Sequence, residues 1–302
     1  MQLVLLGTAA GGGFPQWNCW CPSCRVARTD SARAVPRTQS AAAVSADGDR
    51  WFLLNASPDV RDQLRHLTTA VPSGVRHVPV EGLVLTDAEL DHSLGLVLLR
   101  EARRLQLWAT DAVQRVLEAD SRLLPVTRAF AEVRAEVLEP DRPSGLCYRD
   151  GTASGLRVTA FPVPADPPRF AREERPGHTV GLIVEDTATG GRCAFVPGCG
   201  GLDDRLLARL AGVDLLLFDG TFWTDRELIT LGIGERTALE MDHLPVSGPA
   251  GSLAWLAGLP VRHRVYTHIN NTNPILLEDG PERAAVLAAG LTVGADGMRF
   301  TL

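Results

Sequence analysis

A chain of 302 residues, 45% hydrophobic and 22% charged, can bury a sizeable core as one large domain or two smaller ones. Its 30 basic and 36 acidic residues leave a net charge of -6, and no Lys/Arg cluster is dense enough to neutralise a run of phosphates, so nucleic acid is not an expected partner. No run approaches the roughly 20 apolar residues of a membrane span, and MQLVLLGTAAGGG lacks a basic region ahead of its short apolar stretch, so it reads as a first buried strand and not as a signal peptide.

In chain order, a strand over residues 3–6 runs into the Gly-rich turn GTAAGGG. Next comes NCWCPSC, which places Cys19, Cys21 and Cys24 within six residues. That spacing lets three thiols converge on one tetrahedral ion, and soft thiolates favour Zn²⁺; a cluster of buried or redox-active thiols is the other reading. Cys147, Cys193 and Cys199 are scattered, so the cysteines do not look like a disulfide framework, and a reducing, cytoplasmic location is expected. Residues 40–55 read as a hairpin closed by a two-residue Asp47-Gly48 turn. A strand over 82–85 leads to a helix over 93–104, and a helix over 203–210 precedes a strand over 214–218. Hairpins early and strand–helix units later, with no repeat or linker, predict one domain over 1–302. Mixed sheets must cover each apolar face with another layer, which an α/β sandwich of four αββα layers does.

The segment LVLTDAELDHSLG carries the strongest chemical signal. An apolar strand stops, and Asp87, Glu89 and Asp91 follow at alternate positions, with His92 next. Carboxylates held this close repel one another and raise each other's pKa values, and a divalent metal is the ordinary way to keep them ionised together. Taken alone, the segment also reads as a solvated acidic turn at the start of the next helix.

The string resembles the HxHxDH hallmark of the metallo-β-lactamase superfamily, in the form DxExDH. Asp91 and His92 match its last two positions, while Asp87 and Glu89 replace its first two histidines. The resemblance implies further ligands in order along the chain: His178 in GHTVGLIV, Asp219 in LLLFDGT and His268 in VYTH. It implies a metallo-β-lactamase-like αββα four-layer sandwich as the fold. It also implies that the first of two metal sites is lost, leaving Asp91, His92, Asp219 and His268 around one ion. Two histidines with a carboxylate on one face are the set associated with non-haem Fe(II), with Mn²⁺ or Zn²⁺ doing hydrolysis as the alternative. His243, in MDHLP, stands where hydrolytic relatives carry a proton donor, and a neutral imidazole suits acid/base work; a histidine of a surface loop is the plain alternative. The CxCxxC of the superfamily's phosphodiesterase branch forms a structural zinc site completed by a histidine, and here that position is Asn271.

GTAAGGGFPQWNCWCPSC, LLNASPD, DAELDHSLGL, PGHTVGL, LLFDGTFW, MDHLPVSG and YTHINNTNP together resemble the pyrroloquinoline quinone (PQQ) biosynthesis protein B family along the whole chain. That resemblance implies a part in making PQQ, with a structural Zn²⁺ at the cysteines and a catalytic Fe²⁺. The implied step is O₂-dependent hydroxylation of the tyrosine ring in a Glu-Tyr unit from the precursor peptide, with Asp87, Glu89 and His243 as catalytic residues and other proteins of the pathway as partners. Trp17, Trp20, Phe222 and Trp223 are candidate walls for such a ring. Two other expectations stand beside it: a carrier that helps move PQQ or its precursor towards the periplasm, and a metal-dependent phosphodiesterase-type hydrolase. The lost leading histidines count against the latter, because two-metal cleavage needs both ions.

Overall fold

The structure, a computed structural model, describes residues 1–67 and 75–302. Its strands are β1 (Gln2–Gly7), β2 (Ala41–Ser45), β3 (Trp51–Leu54), β4 (Val80–Val84), β5 (Arg104–Ala109), β6 (Glu132–Val137), β7 (Ser144–Cys147), β8 (Ala153–Pro162), β9 (Val180–Asp186), β10 (Arg192–Val196), β11 (Leu215–Asp219), β12 (His263–Thr267), β13 (Thr292–Val293) and β14 (Arg299–Thr301). Among the described residues they form two seven-stranded sheets, one ordered β14-β1-β2-β3-β4-β5-β6 and the other β13-β12-β11-β10-β9-β8-β7. Each sheet is antiparallel on one side and parallel on the other: β3 to β6 run parallel in the first, β10 to β13 in the second. Parallel neighbours need crossovers, and the helices between them supply the outer layers.

Strand periodicity sorts the side chains between layers. Leu3 and Leu5 of β1 face the second sheet, with Leu215 and Leu217 of β11 in the same cluster. Val4 and Leu6 turn outward onto the helices Val60–Gln63, Gly95–Leu98, Asp111–Arg115 and Leu123–Arg128 through Val60, Leu96, Val113 and Leu124. Leu216 and Phe218 turn outward under the helices Pro22–Thr29, Asp204–Leu210, Ser252–Ala257 and Pro281–Ala288, which contribute Cys24, Leu206, Leu256 and Val286. This is the αββα sandwich expected from the sequence. Truncating any of its fully buried leucines to alanine costs about 2–5 kcal/mol. No described helix is long and apolar enough to cross a membrane.

Two local expectations need correction. β2 and β3 do pair as an antiparallel hairpin, but residues 46–50 make a five-residue loop in place of a two-residue turn. There the Asp47 carboxylate accepts the N–H groups of Asp49 and Arg50 at 2.9 Å each, and the Ser45 hydroxyl accepts that of Gly48 at 2.8 Å. The helix expected over 93–104 is two short pieces, Leu90–Ser93 and Gly95–Leu98, and Arg104 already opens β5. Gly95 packs directly on the carbonyls of Ala56 and Ser57, where an added Cβ would lie 2.4–2.6 Å from their oxygens, so tertiary packing sets the break. The helix Asp204–Leu210 and β11 lie where the pattern put them, and the Asp203 carboxylate caps that helix through Leu206 N–H at 2.7 Å.

Candidate metal centre

Three strand ends deliver the polar residues. β4 runs into a buried loop in which the Asp87 carboxylate accepts the Thr86 hydroxyl at 2.6 Å and the Glu89 N–H at 2.9 Å. The helix Leu90–Ser93 then sets Asp91 and His92 side by side. β11 ends on Asp219, whose register partner on the parallel strand β12 is Thr267, so His268 follows immediately beside it. His268 adopts a left-handed backbone (φ 54°), which a non-glycine residue holds only when its surroundings fix it. Thr221 supplies that constraint: its Oγ1 lies 2.7 Å from His268 Nδ1, 2.8 Å from the His268 carbonyl and 2.5 Å from Asp219 Oδ1.

Asp91 Oδ2 stands 3.3 Å from His268 Nε2 and 3.8 Å from His92 Nε2, and the two imidazoles meet edge to face at 5.1 Å. Both oxygens of Asp87 lie 2.8–2.9 Å from His92 Nδ1, while His92 Nε2 is buried without a hydrogen-bond partner among the described residues. A buried ring nitrogen left open beside a carboxylate oxygen is what a cation would satisfy. Ligand atoms of Asp91, His92 and His268 lie within 4.8 Å of one another, and so do those of Asp219, His243 and His268. His268 belongs to both groups.

The electrostatics follow from burial working against charge. Burial pushes the Asp91 carboxyl up, but His92 and His268 outweigh it and hold the group below the usual carboxylate range. Burial pushes His92 down, yet Asp87 and Asp91 raise it to about 9. His268 is lowered by burial and by the neighbouring His92 and His243, so it is poised as a neutral ligand. His243 Nδ1 pairs with Asp219 Oδ2 at 2.7 Å, and the Asp219 charge lifts the imidazole above its ordinary value against the effect of burial. The His243 ring stacks on His268 at 5.3 Å and meets Phe222 edge to face at 5.9 Å.

Of the residues expected from the sequence, Asp91, His92, Asp219, His243 and His268 are brought together. Asp87 touches the centre only through His92. Glu89 enters neither ligand group; burial first, then Asp87 and Asp91, push its carboxyl up to about 7. His178 departs from the expected ligand set. Its Nε2 sits 2.9 Å from the Glu173 carbonyl, and the ring lines a separate cavity of about 380 Å³ with Arg115, Arg172 and Arg175. The backbone accounts for this: β9 begins at Val180, whose N–H donates to the Thr86 carbonyl, and the His178 ring is held by the 173–178 loop instead of the strand.

Cys19, Cys21 and Cys24 offer sulfurs within 4.8 Å of one another, ahead of and inside the helix Pro22–Thr29. A hydrogen bond from Cys21 holds Cys24 down at about 5, and the same contact pushes Cys21 up. Asn271 closes the group: its Nδ2 is 3.3 Å from Cys24 Sγ and its main-chain carbonyl 3.4 Å from Cys21 Sγ. The amide was expected to offer oxygen; here its nitrogen faces the sulfurs, and a half-turn of the side chain exchanges the two ends. Beside the thiols opens a cavity of about 960 Å³ lined by Trp20, Arg25, Leu228, Ile233 and Asn270. Trp17 is exposed, Trp20 lies under the Arg28 guanidinium at 4.6 Å, Phe222 is buried and Trp223 packs on the core.

Thr221 and Gly11 also line this centre, although no ligand motif in the sequence points to them. A Cβ at Gly11 would come within 3.2 Å of Asp91 Oδ2, so the Gly-rich turn lies directly on the Asp91 carboxylate. Its glycines were the signal. Thr221, two residues past Asp219 in FDGT, offered only a hydroxyl, which strand ends often carry without function.

Residues 50–269 match the model of the β-lactamase superfamily domain. Across its full length the chain is 46% identical to the full-length coenzyme PQQ synthesis protein B of Methylobacterium nodulans and 42% identical to that of Pseudomonas entomophila. The crystal structure of Zn²⁺-bound PqqB from Methylobacterium extorquens superposes with a TM-score of 0.90 at 41% identity over the whole of both chains. A diphosphatase of the PhnP family shares the fold, with a TM-score of 0.68 at 21% identity, over all of this chain and 97% of its own.

Proposed function

Because this chain belongs to the coenzyme PQQ synthesis protein B family of the β-lactamase superfamily, we propose that its part in PQQ biosynthesis is the Fe(II)- and O₂-dependent hydroxylation of the tyrosine ring in a Glu-Tyr unit of the precursor. The observation that carries this reading is the convergence of Asp91, His92 and His268, two imidazoles and one carboxylate with the His92 Nε2 left open. That donor set fits a non-haem Fe(II) with positions to spare for substrates. The family's part in PQQ synthesis supports a precursor of that cofactor as the substrate, and a relative crystallised with Zn²⁺ supports metal binding.

When bound there, an Fe(II) ion would supply one-electron chemistry towards O₂. Inserting one oxygen atom into the ring and reducing the other to water takes two electrons and two protons, so turnover requires an external reductant. The residues of the chain do the rest. Asp87 orients His92, and Thr221 orients His268 and Asp219. Asp219 accepts the Nδ1 proton of His243 and leaves Nε2 to hold or move a proton beside His268. The Asp219 charge raises His243 above its ordinary value and so favours its proton-donating form. Phe222 screens one side of that imidazole from water.

A second reading draws on the group Asp219, His243 and His268, which could hold a second ion and make the centre a two-metal hydrolase. Incubation of the Fe(II)-loaded protein with a Glu-Tyr peptide and a reductant under ¹⁸O₂ separates the two. Hydroxylation places one ¹⁸O on the tyrosine ring; hydrolysis proceeds without O₂ and takes its oxygen from water, leaving the product unlabelled.

A further inference from the structure

Asn55 follows β3 in a left-handed conformation (φ 64°), fully buried, with its N–H on the Val84 carbonyl at the end of β4. Its side chain clamps Thr86 at two points: Oδ1 accepts the Thr86 N–H at 3.0 Å and Nδ2 donates to Thr86 Oγ1 at 2.9 Å. A hydroxyl has one proton. With the amide occupying a lone pair of Oγ1, that proton goes to Asp87 Oδ2 at 2.6 Å, closer than the return path to Asn55 Oδ1 at 3.2 Å. Asp87 Oδ1 accepts the Glu89 N–H. An ionised carboxylate only accepts, so His92 Nδ1, 2.8–2.9 Å from both oxygens, must donate. Once the ring gives up its second proton, the lone pair stands on Nε2, the buried atom that has no partner and lies 3.8 Å from Asp91 Oδ2.

We propose that Asn55 is a positioning residue of the metal centre: acting through Thr86 and Asp87, it fixes His92 in the tautomer whose Nε2 lone pair faces a divalent ion. The inference rests on the reading that Asp91, His92 and His268 hold that ion. It gives Asp87 a task distinct from ligation and gives a buried asparagine outside the DxExDH string a part in the chemistry. Groups that orient a metal-bound imidazole commonly contribute about 10–100-fold to affinity.

The test is Mn²⁺ binding to the full-length protein, followed by the EPR signal of the free ion, because Mn²⁺ favours oxygen and nitrogen donors over thiolates. Thr86→Val removes the hydroxyl, and Asn55→Asp keeps shape and backbone compatibility but introduces a second acceptor that turns the Thr86 proton away from Asp87. Each is expected to weaken Mn²⁺ binding about tenfold or more, while Thr86→Ser stays near wild type. In the Zn²⁺-loaded wild type, ¹⁵N-histidine spectra are expected to show a protonated His92 Nδ1, with its proton resonance moved upfield in Thr86→Val. Wild-type affinity in both Thr86→Val and Asn55→Asp, with His92→Ala losing Mn²⁺, overturns the inference alone. Undiminished Mn²⁺ binding in His92→Ala overturns the metal-centre reading and the inference with it. A wild-type spectrum in which His92 Nδ1 carries no proton overturns the inference without any variant.

Discussion

Asp91 and His268, 177 residues apart in sequence, meet with Oδ2 3.3 Å from Nε2 where the helix Leu90–Ser93 reaches the residue after β12. Each comes from a strand-end segment packed by other residues, so neither carries the fold. Asp91→Ala and His268→Ala are therefore expected to abolish metal binding at this centre and turnover, with melting temperature within a few degrees of wild type. Metal analysis beside thermal unfolding checks this; turnover retained in a metal-verified variant contradicts it.

Metal affinity should rise with pH. In the metal-free protein Asp87 and Asp91 keep His92 protonated up to about 9 against the effect of burial, and a ligand must shed that proton. Below that value affinity should climb by up to about tenfold per pH unit, levelling above it, with close to one proton released per ion. Calorimetric titration in two buffers of different ionisation enthalpy measures the proton count. Flat affinity over the same range would remove His92 from the ligand set.

Cys21→Ser is expected to lower zinc content and melting temperature more than it lowers turnover, since the Cys19, Cys21 and Cys24 group joins the N-terminal segment to Asn271 and acts on folding. Unchanged zinc content together with unchanged melting would argue against a structural ion there.

His243→Gln is expected to keep the ion at Asp91, His92 and His268 while lowering turnover roughly 100-fold, the usual scale for a lost proton donor. Steady-state rates on metal-verified protein decide this. Loss of the metal with the imidazole would place His243 among the ligands.

Gly95→Ala would set a Cβ 2.4 Å from the Ser57 carbonyl oxygen and 2.6 Å from that of Ala56. Because Ala56 N–H also holds the His92 carbonyl, the strain reaches the helix that carries Asp91 and His92. A loss of about 2 kcal/mol or more in chemical denaturation is expected, with weakened metal binding.

The sandwich was readable because short apolar runs such as those of β1 and β11 sit in a chain that mixes an early hairpin with later strand–helix units, and the candidate ligands Asp91, His92, Asp219 and His268 stand at strand ends in recognisable strings. What escaped reading depends on contacts between distant segments. The broken helix after Ser93 is imposed by the Ala56–Ser57 backbone, invisible in a local pattern that favours helix. His178 has the right neighbours in sequence, but its ring is set by the Glu173 carbonyl. Asp87 replaces a leading histidine of the hallmark and is expected from the sequence to be catalytic, whereas its carboxylate pairs with His92 Nδ1, a placement made by a 2.8 Å contact. Thr221 and Asn55 carry only common polar groups, whose importance appears when their partners are Asp219, His268 and Thr86.

The central claim is iron-dependent oxygen chemistry at Asp91, His92 and His268. Its most direct measurement is O₂ uptake by anaerobically purified, Fe(II)-reconstituted protein supplied with a Glu-Tyr peptide and a reductant, alongside mass analysis of the peptide. Substrate-dependent uptake of one O₂ per hydroxylated tyrosine, lost in His268→Ala, is expected. Full iron occupancy with no substrate-dependent O₂ uptake and an unmodified peptide would contradict it.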